Sequence, residues 1–149
     1  MANYLDLSKK SSEAGQGRLP KLRGNLKNVS AITAATTLYD YDSGNVYTIA
    51  AGSAFTITLP LATVAAGIEF TFQLIASAAN IVKIDGGASN AILGAGMDMT
   101  TSVNAIDNNQ VHFAASGVVG SRIHLVSDGT RYLCTAIDMG TNKIVGANS

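Results

Sequence analysis

Short runs of alternating apolar and polar residues, separated by turn residues, follow one another from Val29 onward. In FTITLP at 55–60 the apolar residues share one face, the threonines take the other, and the proline ends the run. The run IEFTFQL at 68–74 alternates in the same way. Alternation with period two is the pattern of a half-buried strand, so both runs predict strands that line the core together.

Further short runs predict strands at 45–49, 81–84, 110–114, 121–127 and 131–137. The last two are joined by Asp128-Gly129-Thr130, which predicts a hairpin with its register set by the Asp-Gly turn. Helix is not expected, because no run of ten or more residues has i, i+3, i+4 apolar spacing. The fold class expected for residues 29–149 is therefore all-β, an antiparallel β-sandwich or jelly-roll-like body.

One part of this body lacks a strand pattern. The segment ASNAILGAGMDMTTSVNAIDNN, at about 88–109, has no sustained period and is rich in Gly, Ala and Asn. Such a composition predicts a long surface loop or a projecting excursion.

The first 28 residues differ from the body in pattern and in charge. Their leucines are isolated, and six basic residues against two acidic ones give a net charge of +4, whereas the remainder carries −4. We expect an extended basic N-terminal arm that docks into a partner; a tail without a role is the alternative. The predicted contact residues of the arm are Lys9, Lys10, Arg18, Leu19, Pro20, Lys21, Leu22, Arg23, Leu26 and Lys27.

Composition favours a protein that packs against neighbours. Charged residues make up 13% of the 149, about half the usual share, and the net charge is zero. The single cysteine, Cys134, lies in a strand-like run and is expected to be a buried apolar residue in a reducing compartment. No apolar stretch approaches the roughly 20 residues of a membrane span, and no secretion signal is expected.

Residues that could carry chemistry are few. His112 and His124 flank the turn at 117–121 and could be neighbours across a hairpin, but the sequence offers no further metal ligand at a suitable spacing. Asp42, Asp85 and Asp128 each precede a glycine-containing turn, where an aspartate caps its own turn. We therefore expect no catalytic residues, no metal and no cofactor.

A nucleic-acid partner is also not expected. The basic arm contains one aromatic residue, Tyr4, and the body is acidic. Binding of single strands combines positive charge with several stacking aromatics, which the arm lacks. An acidic protein surface is the favoured partner of the arm.

Three segments together resemble the capsid decoration, or cement, proteins of tailed bacteriophages. They are TTLYDYDSGNVYTI at 36–49, FTITLP at 55–60 and AGIEFTF at 66–72; the late SDGT at 127–130 is also typical of that family. The resemblance covers roughly residues 36–137, apart from the segment without a strand pattern.

The resemblance implies a structural protein of the virion, made in the host cytoplasm and located on the outer surface of the capsid. It implies binding to the assembled lattice of the major capsid protein, often as a homotrimer, with a terminus running between capsid subunits. No role for an individual arm residue follows from it.

Two alternatives remain open at this stage. The chain could be a tail or fibre-associated β-domain that recognises a host protein or glycan through the loop at 88–109. It could also be a hydrolase or lyase whose acidic residues come from several subunits.

Overall fold

The computed structural model describes residues 27–87, 91–98, 103–140 and 144–147, and in these ranges the fold consists of β-strands and two short 3₁₀ turns, Asp40–Asp42 and Ala62–Val64. The strands are β1 (Val29–Ile32), β2 (Thr36–Thr37), β3 (Val46–Ile49), β4 (Phe55–Thr58), β5 (Glu69–Leu74), β6 (Val82–Asp85), β7 (Ile92–Asp98), β8 (Val103–Asn108), β9 (Gln110–Phe113), β10 (Arg122–Ser127), β11 (Tyr132–Asp138) and β12 (Ile144–Ala147). The prediction of an all-β body is confirmed.

The strands form two sheets that enclose one core. The seven-stranded sheet has the order β1-β3-β5-β10-β11-β7-β8, and the five-stranded sheet has the order β12-β9-β6-β4-β2. Alternation places Phe70 and Phe72 of β5 inside, and Ile57 of β4 inside from the other sheet; all three are inaccessible to solvent. Each such side chain contributes about 1.5–3 kcal/mol through its burial.

In the first half of the body, the strands pair in parallel and not antiparallel as in an antiparallel sandwich. Successive strands from β1 to β6 alternate between the two sheets, so β1, β3 and β5 pair in parallel in one sheet and β2, β4 and β6 pair in parallel in the other. The pairing of β7 with β11 is also parallel. The sandwich is confirmed, but its sheets are mixed, and the expectation of purely antiparallel pairing was too simple.

The second half contains the predicted hairpin. β10 and β11 pair antiparallel, with Ser127 opposite Tyr132. The Asp128 carboxylate accepts hydrogen bonds from the backbone N–H groups of Thr130 and Arg131 at 2.7 and 2.8 Å, and Gly129 has a φ of +92°. The Asp-Gly turn thus closes the hairpin as expected, because glycine adopts a positive φ without strain.

The prediction of a long loop at 88–109 was wrong. β7 and β8 lie in this segment and form an antiparallel pair at one end of the seven-stranded sheet. Ile92 of β7 and Ile106 of β8 are buried. Low strand propensity is overridden here by packing, since Gly94 of β7 lies so close to the Cys134 backbone of β11 that a side chain would not fit.

Candidate interaction surfaces

Among the predicted arm residues, Lys27 is the one within the described ranges; the other nine lie outside them. Its Nζ lies 2.8 Å from Oε1 of Glu69 on β5, and the hydrogen bond from Lys27 is the main reason why the pKa of Glu69 is lowered. The adjacent Asn28 carbonyl accepts a hydrogen bond from Val46 N at 2.8 Å. The N-terminal segment therefore joins the body at the β1 edge of the seven-stranded sheet, and the Lys27 side chain contacts Glu69 on its outer face.

A small polar cluster lies beside this junction. Thr71 Oγ1 and His124 Nδ1 are 3.0 Å apart, and His124 Nε2 lies 4.0 Å from Oε2 of Glu69. The order hydroxyl, imidazole, carboxylate is that of a nucleophilic triad, but Thr71 is only 3% exposed, so its hydroxyl is shielded from a substrate. Burial lowers the pKa of His124, which favours a neutral ring held in place by Thr71.

The two histidines are not neighbours, contrary to the expectation from sequence. His124 is on β10 of the seven-stranded sheet, and His112 is on β9 of the five-stranded sheet. In both strands the flanking residues are buried, so the two rings lie on opposite outer faces of the sandwich. Among the described residues, no group of three or more His, Cys, Asp and Glu side chains could hold a metal ion.

Cys134, Asp85 and Asp128 behave as predicted, whereas Asp42 caps the turn that precedes it and not the glycine-containing turn that follows. Cys134 is buried, and its burial raises the pKa of the thiol to about 12, far from that of a reactive thiolate. Asp42 accepts a hydrogen bond from Tyr39 N at 2.9 Å, and Asp85 accepts one from Gly87 N at 2.8 Å. These aspartates stabilise the turns that they begin or end.

The outer face of the seven-stranded sheet carries an exposed apolar surface. Its four large side chains are 37% to 61% exposed. They are paired across β11 and β7, with Ala95 and Thr135 between the two pairs. We call this set of six residues the apolar face: Leu93, Ala95, Met97, Leu133, Thr135 and Ile137.

Sequence reasoning missed the apolar face, although β11 contained a signal for it. The run YLCTAI has an apolar residue at nearly every position, which is typical of a strand covered on both faces. Tyr132, Cys134 and Ala136 point into the core, whereas Leu133 and Ile137 point outward. A strand with two apolar faces, over which residues 27–87, 91–98, 103–140 and 144–147 place no second layer, indicates a surface that contacts another molecule.

The outer face of the five-stranded sheet is polar. Thr56, Lys83 and His112 form one row across it, and Thr58 and Asp85 belong to the next row. The Gln110 amide donates a hydrogen bond from Nε2 to Oδ2 of Asp85 at 2.9 Å. A shallow, open depression of about 320 Å³ lies along this face, lined by Ala54, Phe55, Thr56, Ile81 and Lys83.

A pair of exposed aromatic rings projects from the turn between β2 and β3. Tyr39 and Tyr41 are 50% and 78% exposed, and their rings are stacked with centroids 5.2 Å apart. The carboxylates of Asp40 and Asp42 accept hydrogen bonds from the backbone of this turn. The exposure of these tyrosines was not predictable from alternation, because alternation does not reveal which side chains a short turn points outward.

A comparison with models of known protein families finds no match, and a comparison with curated proteins finds none either. In the described part of the chain, no helix is long and apolar enough to cross a membrane.

Proposed function

We propose that this protein is a structural component of a virion, a cement protein that binds the assembled lattice of a major capsid protein on the outside of the head. The observation that carries the proposal is that two features suited to assembly lie on one side of the body. The Lys27 side chain, at the end of the basic N-terminal segment, lies on the outer face of the seven-stranded sheet, and the exposed apolar face lies on the same side of that sheet.

The physical role follows from mass action. A ligand that binds the assembled shell, and not its free subunits, stabilises the shell without any catalytic step. Several weak contacts from each decorating unit then act together, so the total affinity exceeds that of one contact. The charge division of the chain, +4 in the first 28 residues and −4 in the remainder, suits a basic segment that binds an acidic shell surface.

Co-sedimentation with empty expanded phage shells tests this function. The full chain should sediment with the shells at a fixed stoichiometry. A chain that begins at residue 27, and so retains the Lys27–Glu69 pair, should remain in the supernatant. A variant with Lys9, Lys10 and Arg18 replaced by Gln serves as a charge control and should bind less tightly, most visibly at low salt.

Two outcomes would contradict the proposal in different ways. Undiminished binding by the shortened chain would show that the body holds the shell and that the arm assignment is wrong. Failure of the full chain to bind at any salt concentration would reject the cement function.

The Tyr39–Tyr41 pair favours a second candidate, a recognition domain of a tail or fibre that binds glycan. Exposed aromatic rings stack on the apolar faces of sugars, and nearby carboxylates can accept hydrogen bonds from sugar hydroxyls. Specific binding on a glycan array, lost in Tyr41→Ala and kept in Leu133→Thr, would favour this function over cement. Equal signals from both variants would reject it.

A further inference from the structure

We propose that the apolar face binds the same face of a second copy, in a two-fold symmetric pair of orthogonally crossed sheets. This pairing goes beyond the cement function and does not depend on it, since it concerns contacts between copies of this chain alone. Two charged residues at the rim of the apolar face, Arg122 and Asp107, make this surface complementary to itself.

The strand register fixes the layout of this surface. β10, β11, β7 and β8 lie side by side, with Arg122 beside Ile137 at one end and Asp107 beside Leu93 at the other. From β10 to β8 the surface is about 14 Å wide, as the spacing of four neighbouring strands gives. Along the strands, from Arg122 to Val126, it is also about 14 Å long, as the rise per residue gives. Its outline is therefore close to a square.

The two exposed charges occupy opposite corners of that square. Arg122 is on β10 in the row of Ile137 and Met97, whereas Asp107 is on β8 in the row of Leu133 and Leu93. Both side chains are exposed. A surface with a cation at one corner and an anion at the diagonal corner can be self-complementary, because each charge can face the opposite charge of a second copy.

A two-fold axis in the plane of contact, along the other diagonal, exchanges these two corners. It places Arg122 of each copy opposite Asp107 of the other, so the ion pair forms twice. This axis makes the strands of the two copies cross at about 90°, one of the two angles at which sheets commonly stack. The other, aligned angle would set Asp107 against apolar positions such as Val126.

The size of the surface sets the expected affinity. A square of about 14 Å on a side covers about 200 Å² before its margins are counted, which is small compared with about 800 Å² per partner in a typical stable complex. We therefore expect a reversible pair that forms at high protein concentration. Side chains at the margins, including half-buried His124 and Val126, add to the contact.

Sedimentation equilibrium of the full chain, over a concentration series that reaches several hundred micromolar, tests the pairing. The wild-type chain should approach the mass of a dimer. Arg122→Asp and Asp107→Arg should each weaken the dimer about tenfold, because each places like charges together at two sites. The double variant, Arg122→Asp with Asp107→Arg, should recover to within about threefold of wild type, because the pairs are reversed but intact.

Two further variants separate pairing from folding and from net charge. Leu133→Thr replaces an exposed apolar residue of β11 with a β-branched polar one, which strands accept well, and should weaken the dimer while thermal unfolding stays close to wild type. Lys83→Asp makes the same charge change as Arg122→Asp, but on the polar face of the other sheet, and should leave the dimer unchanged.

Each contrary result has a defined meaning. A monomer at every concentration, or a trimer such as the phage resemblance implies, would overturn the two-fold pairing. A double variant as weak as the single variants, or an equal effect of Lys83→Asp, would overturn the assignment of Arg122 and Asp107. Binding to capsid shells is measured separately, by co-sedimentation of the arm variants, and its failure would not alter the mass measured for the free chain.

Discussion

The two outer faces of the sandwich use their side chains for different purposes. On the five-stranded sheet, polar groups bond to one another; Gln110, which is buried, donates to Asp85 at 2.9 Å. On the seven-stranded sheet, Leu133 and Met97 are exposed to solvent. The polar outer face of the five-stranded sheet therefore stabilises the fold, whereas the apolar face on β11 and β7 is available for binding.

The largest loss of stability is expected from displacing β7, the strand that carries half of the apolar face. A Cβ added at Gly94 would collide with the backbone carbonyl of Cys134, which cannot rotate away as a side chain can. We expect Gly94→Ala to lower the free energy of unfolding by about 3 kcal/mol, as overpacking does, in urea denaturation.

A matched control lies two residues along the same strand. A Cβ at Gly96 would lie 3.6 Å from the Ala136 Cβ, an ordinary contact. Gly96→Ala should therefore stay within about 1 kcal/mol of wild type. Equal losses for the two variants would mean that β7 is not held close to β11 at Gly94.

The position of β7 also shows where reasoning from sequence stops. Hairpin β10–β11 was predictable because its turn is local and the pair Asp128-Gly129 is typical of a hairpin turn. The parallel pairs were not, because they join residues far apart in the chain, such as Phe55 and Val82, with no turn between them to set the register. At β7 and β8 the composition predicted a loop, and contact with β11 overrode it.

Asp85 on the polar face and Leu133 on the apolar face should contribute differently to stability. Asp85 accepts from Gly87 N and from the buried Gln110 side chain, so Asp85→Ala would leave the amide without this acceptor. We expect a loss of about 2 kcal/mol in the free energy of unfolding. Thr58→Ala, in the same row but exposed, should cost less than about 0.5 kcal/mol, and Leu133→Thr on the opposite face should also cost less than about 0.5 kcal/mol.

These three variants together decide whether the faces differ as described. Similar losses for Asp85→Ala and Leu133→Thr would mean that the apolar face also stabilises the fold, and the argument that it is free for binding would fail. Part of this face was predictable, since the double apolar pattern of β11 is visible in the sequence. Its other half was not, since Leu93 and Met97 lie in the segment that was predicted to be a loop.

The histidines on the two faces should respond differently to acid. Burial lowers the pKa of both, so each folded-state pKa lies below the ordinary value and stability is lost as the pH falls below about 6.5. Lys83 lowers the pKa of His112 further. The pKa of His124 is raised by Glu69, which opposes the effect of burial, and lowered by Arg122 and Lys27, which add to it.

We therefore expect His112→Gln to flatten the dependence of unfolding free energy on pH more than His124→Gln does. The change is bounded by about 1.4 kcal/mol per pH unit, the limit for one proton. Urea denaturation at several pH values between 5 and 7.5 measures the slope. A steeper slope in His112→Gln than in wild type would mean that the ring is stabilised when charged.

The smallest effect concerns the ion pair at the base of the N-terminal segment. The side chains of Lys27 and Glu69 are 48% and 34% exposed, so solvent and salt screen much of their attraction. Glu69→Gln should lower the free energy of unfolding by about 0.5 kcal/mol or less, and the loss should shrink in high salt. A loss that stayed constant with salt would mean that the exposed Lys27–Glu69 pair is not its cause, because salt screens the attraction of an exposed pair.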